Sequence, residues 1–467
     1  MPSCPNILIL YTDQQRWDAL GANGNAEIRT PNLDRLAAEG VNFDHFFVQN
    51  PVCMPSRISF LTGQYPSTLG ITHMGVPVPD DVVTLPKVLR QSGYRTANFG
   101  KLHFLPHANR DHRSLHPGYG FDLLAVSDEP GPYEDAYRAW VRRRAPEALD
   151  RISPGLPPAA EVWYKTMNVR DSVVHPPERF PKEALAFRGP AELTHTAFVA
   201  EKTIEFIEAH RHQRWLCIAG FYSPHSPWVA PQAFLDLYDP ETLSLPRFPP
   251  EFDAERSESH FSDRELRAAR HGYYAMVSEV DHHVGRILDA LQATGQERET
   301  IVVFTSDHGE WLGEHLRYGK GFPGLDPVAR VPLIVRWPAG VHAPGRTEHG
   351  ITEAVDVVPT LLEAAGMPIP PEVQGRSLLG ALRGEPYPGR DSALMEHAGW
   401  KNLRTATCRY VCHSERGELL FDLSADPGET RDVAREPVYA GLLAEMRRRL
   451  LARILENERP RPRVWPY

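Results

Sequence analysis

No stretch of this chain stays apolar for the roughly 18 residues that a membrane-crossing helix requires. The start, Met1-Pro2-Ser3-Cys4-Pro5, has no basic segment leading into an apolar one. It therefore shows no secretory leader, and the cytoplasm is the expected location. Cysteine is scarce: Cys4, Cys53, Cys217, Cys408 and Cys412 are the five in 467 residues. An odd, scattered set is no disulfide framework. Cys408 and the Cys412-His413 pair have no second ligand pair at metal-binding spacing. They read as alternating positions of a C-terminal hairpin. Excess positive charge is also missing. Lys+Arg 51 against Asp+Glu 60 leaves a net charge of −9. That balance excludes a general nucleic-acid surface but leaves room for a locally basic pocket that takes a small anion. The cluster Arg142-Arg143-Arg144 is too short to change this. No glycine-rich phosphate loop of the P-loop type is present.

What is present is enough apolar residue, 42%, for a large core. The length suits one large α/β body with a smaller appendage. Asn6–Tyr11 is a continuous apolar run, as expected of a strand covered on both faces, and Tyr94–Phe99, Trp215–Tyr222, Thr300–Ser306 and Val331–Trp337 read as further strands. Helical segments separate them: Pro31 to Gly40, Thr84 to Gly93, Glu192 to His210, Tyr273 to Thr294 and Val355 to Ala365. This alternation predicts a doubly wound, mostly parallel sheet. The catalytic α/β domain is expected over 1–375. Within it, 105–190 reads as an elaborated insertion over the site, holding a short helix at Tyr133–Arg144. Residues 376–467 read as a smaller α+β subdomain, with strands at Asn402–Cys412 and Glu418–Leu423 and a helix over Val438–Leu455. The Pro-rich tail, with Trp465 and Tyr467, docks either on a second subunit of a homo-oligomer or on its own chain.

Polar residues follow the strands at the end where open α/β sheets bind ligands. They are Asp13-Gln14, Gly100-Lys101-Leu102-His103, Ser223-Pro224-His225 and Asp307-His308. Two aspartates and a histidine on one face suit a divalent cation. Carboxylates favour calcium, and the imidazole admits manganese. Cys53 stands in Cys53-Met54-Pro55-Ser56-Arg57, where the proline marks a helix start and so a set of amide donors for an anion.

The Cys-x-Pro-Ser-Arg pentapeptide, continuing through Leu61-Thr62-Gly63, resembles the core signature of the type I sulfatases. Asp13, Gly-Lys101-x-His103, His225, Asp307-His308-Gly309, Lys320 and the run Glu418–Thr430 resemble further motifs of that family, from Asn6 to about Ala434. The resemblance implies an alkaline-phosphatase-like fold. It also implies that Cys53 is oxidised to formylglycine (3-oxoalanine) by a formylglycine-generating enzyme. The hydrated aldehyde would attack a small-molecule sulfate ester and pass through a covalent sulfo-enzyme hemiester. Arg57 would hold the hydrate and Lys101 the sulfate. His103 would take the proton that starts elimination, and His225 and Lys320 would assist the leaving oxygen. Asp13, Asp307, His308 and the modified Cys53 would hold one divalent ion, with Gln14 either a ligand or a lining residue. The Asp-Gln and Asp-His pairs look more like the choline-sulfatase and phosphonate monoester hydrolase branches than like secreted arylsulfatases. Two rivals stand beside the sulfatase: a phosphonate or phosphate ester hydrolase using the same nucleophile, and a non-catalytic anion binder. Asp281-His282-His283 reads as a solvated helix face, and His107, His112 and His116 as loop residues.

Overall fold

The computed structural model describes residues 4–106, 116–131, 134–153, 184–249, 252, 256 and 261–458. An eight-stranded sheet runs through it. In chain order the strands are β1 (Asn6–Thr12), β2 (Val41–Phe43), β3 (Arg95–Gly100), β4 (Leu123–Val126), β5 (Trp215–Gly220), β6 (Thr300–Ser306), β7 (Leu333–Arg336) and β8 (Arg346–Glu348). Their spatial order is β8-β2-β7-β6-β1-β5-β3-β4. All pairings are parallel except those of β7 with β2 and β6.

β1 lies inside the sheet, with Leu8 level with Cys217 on one side and Val302 on the other. Its apolar run is unbroken because both faces are covered. Ile7 and Ile9 enter one core, which also takes α2 (Cys53–Thr62), α3 (Leu85–Gln91) and α7 (Val357–Ala364). Leu8 and Leu10 enter the other, beneath α1 (Pro31–Ala38), α4 (Ala136–Arg144), α5 (His195–Ala209) and α6 (Asp263–Ala293). The doubly wound α/β expectation therefore holds.

The smaller C-terminal subdomain is a four-stranded antiparallel meander, β9 (Ala393–His397), β10 (Trp400–Arg404), β11 (Cys408–His413) and β12 (Gly417–Asp422). The helix α8 (Ala440–Asn457) covers it. The segment read as one strand over 402–412 is two strands. Their turn is closed by Thr405 N donating to Cys408 O at 2.8 Å and Cys408 N donating to Thr405 Oγ1 at 3.0 Å. Threonine hydroxyls do here what glycine or proline usually signals, so the turn was hidden.

Two other readings change. α6 starts well ahead of Tyr273, because Ser262 and Glu265 form a capping box. Asp281 and His283 are buried, with only His282 exposed, so this is no solvated face. Asp281 caps α1, accepting Leu33 N at 2.8 Å and Asn32 Nδ2 at 2.9 Å. The stretch 105–190 contains both β4 and α4. His107, His112, the start of the expected helix at Tyr133 and the C-terminal tail with Trp465 and Tyr467 lie outside the described residues. None of the five cysteines is joined in a disulfide.

Candidate functional site

The strands β6, β1, β5 and β3 are consecutive neighbours in the sheet, and each ends in one of the polar groups singled out above. Parallel pairing brings their carboxyl ends to one edge. Asp307, Asp13, His225 and Lys101 thereby converge although they come from four distant parts of the chain. Closeness has a steric requirement. A Cβ on Gly100 would stand 2.2 Å from Gly220 O, and one on Gly220 would stand 2.2 Å from Lys101 O. Gly100 also has φ 88°. Only glycine at both positions lets β3 and β5 deliver Lys101 to the site.

α2 begins at Cys53 and is buried throughout, ending on Gly63 with φ 65°. Its Arg57 is 1% exposed. Arg57 Nε donates to Asp307 Oδ2 at 2.7 Å, and its Nη1 donates to Lys101 O at 3.2 Å. The guanidinium lies 4.7 Å over the Tyr11 ring. Ser56 Oγ donates to Asp307 O. These contacts lock the helix start against the ends of β1, β3 and β6.

Around Cys53 Sγ, Lys320 Nζ stands at 2.7 Å, His308 Nε2 at 3.2 Å and Asp13 Oδ1 at 3.8 Å. Lys320 Nζ is also 3.0 Å from His308 Nε2 and 3.3 Å from His225 Nε2. Lys101 Nζ pairs with Asp13 Oδ2 at 2.5 Å and lies 5.1 Å over the Tyr222 ring. His103 is buried with φ 55°. Its amide and that of Leu102 both donate to Asp128 Oδ1 at 2.8 Å.

Three cations, Lys101, Lys320 and Arg57, face two carboxylates, Asp13 and Asp307. Burial opposes ionisation of Asp13, but Lys101, His225, Lys320 and Arg57 outweigh it and hold the carboxyl well below the usual carboxylate range. Burial and Asp13 push the Cys53 thiol up to about 11 against the pull of Lys320 and Lys101. Burial takes His308 down to about 4, so the ring is neutral. Its Nδ1–H donates to Gly309 O at 2.9 Å, which leaves the Nε2 lone pair facing the carboxylates.

This arrangement fits a divalent metal. Ligand atoms of Asp13, Cys53, Asp307 and His308 all lie within 4.8 Å of one another and are buried. The Nδ1–H of His308 on a carbonyl is the usual outer support of a ligating imidazole. Gln14 has φ 70°, and its amide N donates to Asp307 Oδ1 at 3.1 Å. Its side-chain Oε1 is buried with no hydrogen-bond partner among the described residues.

Two residues of the site escaped the sequence reading. Glu310 is wholly buried. Its Oε1 accepts Leu312 N and Gly319 N, and its Oε2 accepts Gln14 Nε2. It thus pins the loop that ends in Lys320. It directly follows the Asp307-His308-Gly309 stretch at the end of β6, so its strand-end position was the available signal. Asp128, next but one after β4, had the same signal but lay in a stretch read as an insertion.

Residues 5–367 match the family model described as Sulfatase, and residues 313–456 match that for the C-terminal part of N-sulphoglucosamine sulphohydrolase. An arylsulfatase of Clostridium perfringens is 29% identical, covering 97% of this chain and 95% of that protein. A choline-sulfatase of Rhizobium meliloti is also 29% identical, covering 93% and 83%. The structure of a phosphonate monoester hydrolase of Agrobacterium radiobacter superposes with a TM-score of 0.82 at 26% identity, covering 97% of this chain and 96% of that one. The family match spans the whole sheet and every residue placed around Cys53, and the chain belongs to the sulfatase family of sulfuric ester hydrolases.

Proposed function

We propose that this enzyme hydrolyses sulfate monoesters, as an arylsulfatase-like enzyme, with the hydrated aldehyde of oxidised Cys53 as its nucleophile. One observation carries the reading. Lys320, His308, Asp13, Lys101 and His225 gather at one buried cysteine at the head of a helix. Cations on two sides suit a sulfuryl group whose three oxygens share negative charge.

A hydroxyl of the hydrate, its proton released to solvent, forms an O–S bond in line with the departing ester oxygen, whose own bond to sulfur breaks. Lys101 and Lys320 hold the sulfuryl oxygens. His225, with its Nδ1–H on Ser226 O at 2.6 Å, and Lys320 supply the proton for the alkoxide. His103 takes the proton of the second hydroxyl. The carbonyl re-forms, the carbon–oxygen bond to sulfate breaks, and water restores the hydrate. Arg57 holds the hydrate and Asp307 in register. A dication held by Asp13, Asp307, His308 and the oxygen at Cys53 would supply positive charge at the nucleophile. The donor set favours calcium first and manganese second.

Intact-mass analysis of the Cys53 peptide tests maturation, because thiol-to-aldehyde conversion by a formylglycine-generating enzyme lowers the mass by about 18 Da. Cys53→Ala should then abolish turnover of 4-nitrophenyl sulfate with an unchanged circular dichroism spectrum. Substantial remaining activity sinks the covalent route.

The likeness to the phosphonate monoester hydrolase supports a second reading, a phosphonate or phosphate ester hydrolase with the same nucleophile. Relative kcat/KM on 4-nitrophenyl sulfate and 4-nitrophenyl phenylphosphonate decides. A large phosphonate preference replaces the first reading with the second.

A further inference from the structure

Asp13 and Lys320 stand on two separate loops, one following β1 and the other following β6. Arg16 joins these loops from within the protein, where it is 5% exposed. Its Nη1 donates to Glu310 O at 3.1 Å and to Trp311 O at 3.3 Å. Its Nη2 donates to Glu314 Oε1 at 2.5 Å and to Asp18 Oδ2 at 2.6 Å, and its Nε donates to Asp18 Oδ1 at 2.7 Å. One planar guanidinium thus holds a carboxylate from each loop and two carbonyls of the second. Trp311, which accepts Arg16, donates its own N–H to Gly319 O at 3.0 Å. Gly319 directly precedes Lys320, so a displaced Arg16 shifts the backbone that delivers the Lys320 ammonium.

The backbone of Arg16 is in turn set from α6. Tyr273 is wholly buried, and its Oη accepts Arg16 N at 2.8 Å and donates to Gln14 O at 2.7 Å. A single hydroxyl therefore closes the Gln14-Gln15-Arg16 turn from both ends. Gln14 has φ 70°, a left-handed conformation that a residue other than glycine keeps only where its surroundings enforce it. The Gln14 amide donates to Asp307 Oδ1 at 3.1 Å, so the enforced turn reaches a carboxylate of the proposed metal centre. On the other side of Cys53, the Lys320 ammonium stands 2.7 Å from the sulfur. Arg16 and Tyr273 themselves bond to neither Cys53 nor Lys320; they act through the backbone on either side.

We propose that Arg16 and Tyr273 are positioning residues that clamp the two loops into one unit, so that the metal centre and Lys320 keep their spacing across Cys53. α6 is the anchor of that unit. The inference rests on the reading in which Lys320 serves the reacting ester. Supports of this kind, one layer behind the groups that do the chemistry, commonly carry 10- to 100-fold in metal affinity or activity.

Tyr273→Phe tests this by deleting one oxygen and keeping the ring. With saturating calcium or manganese, the matured variant should turn over 4-nitrophenyl sulfate with kcat about tenfold lower and KM within about twofold. In a Lys320→Ala background the same change should lower kcat by about twofold or less, because the group it positions is gone. Calorimetric titration of the metal-free protein with calcium or manganese, which needs no turnover, should show affinity about tenfold weaker in Tyr273→Phe. Arg16→Lys keeps the charge but loses the fork, and should repeat the kinetic pattern. A lower thermal midpoint with unchanged kcat and metal affinity makes the pair a brace of stability alone and overturns the proposal. So does an equal loss of kcat with and without the Lys320 side chain. The sulfatase reading fails on a different result, namely no release of 4-nitrophenol from its sulfate ester by the matured parent enzyme.

Discussion

Glu310 touches neither Cys53 nor any group that would hold sulfate, yet three parts of the site depend on its carboxylate. Glu310→Ala leaves the amides of Leu312 and Gly319 without their acceptor, at about 1–3 kcal/mol for each buried group. The expected result is a thermal midpoint lower by several degrees and a loss of kcat larger than the change in KM, because Lys320 is no longer held beside Cys53. Steady-state kinetics and calorimetry read both. An unchanged kcat would mean that Lys320 is held by other contacts. Asp128 is the counterpart on the opposite side. Asp128→Ala should lower kcat by about 10- to 100-fold, the equivalent of roughly 1.4–2.8 kcal/mol in the barrier. Asp128→Asn, which keeps an acceptor for Leu102 N and His103 N, should recover much of that loss. The residues proposed to do direct chemistry, such as Cys53, Lys101 and Asp307, were legible because their types and their places at a helix start or strand end mark them. Glu310 and Asp128 act by accepting backbone amides, and amide acceptors carry no sequence motif.

Among the elements, α8 is fastened to the main body by buried charge. Arg453 Nη2 meets Glu353 Oε1 and Oε2 at 3.1 Å and Tyr65 Oη at 2.9 Å, while Arg390 Nε meets Glu353 Oε2 at 3.1 Å. Removing the shared carboxylate leaves Arg453 without a buried counter-charge and Arg390 with Asp356 alone. Glu353→Ala should therefore cost about 3–5 kcal/mol, measured as a shift in denaturant midpoint. Replacing Arg453 with Met should cost less, because that side chain keeps apolar packing. α6 carries a pH effect. Burial first, then Arg286 and His282, takes His283 down to about 3. An unfolded histidine titrates near 6.5. Between those values the unfolded chain binds a proton that the folded chain does not, so stability is full above about 6.5 and falls as pH drops toward 3. His283→Gln should flatten the decline of thermal midpoint between pH 6.5 and 4. A parallel curve would assign the acid sensitivity elsewhere. The apolar runs of β1 and β6 were readable because both faces are buried. The start of α6 and the 405–408 turn were misread because a capping box and threonine hydroxyls set them, against the stronger apolar pattern.

For the whole molecule, the ends of β1 and β6 and the head of α2 each bring a group to the proposed metal centre, so bound metal ties together parts of the chain far apart in sequence. Ligand at a hundredfold above its Kd adds about 2.7 kcal/mol to the folded state. Chelation should lower the thermal midpoint and remove activity together. Restoring each with calcium or manganese ranks the two ions. A midpoint unmoved by chelation would rule out a structural contribution from the metal. What the sequence by itself determined is the kind of chemistry and where on each element it sits: apolar strands that stop at polar residues, and a cysteine at a proline-marked helix start. Local periodicity suffices for the elements, and the resemblance of Cys53-Met54-Pro55-Ser56-Arg57 to the sulfatase signature for the chemistry. Only the tertiary structure decided which of these groups meet. Lys320 is 267 positions from Cys53 yet 2.7 Å away. Parallel pairing through long crossovers sets such meetings, and so do buried carboxylates that fix loops through backbone amides. Neither leaves a local trace in the order of residues.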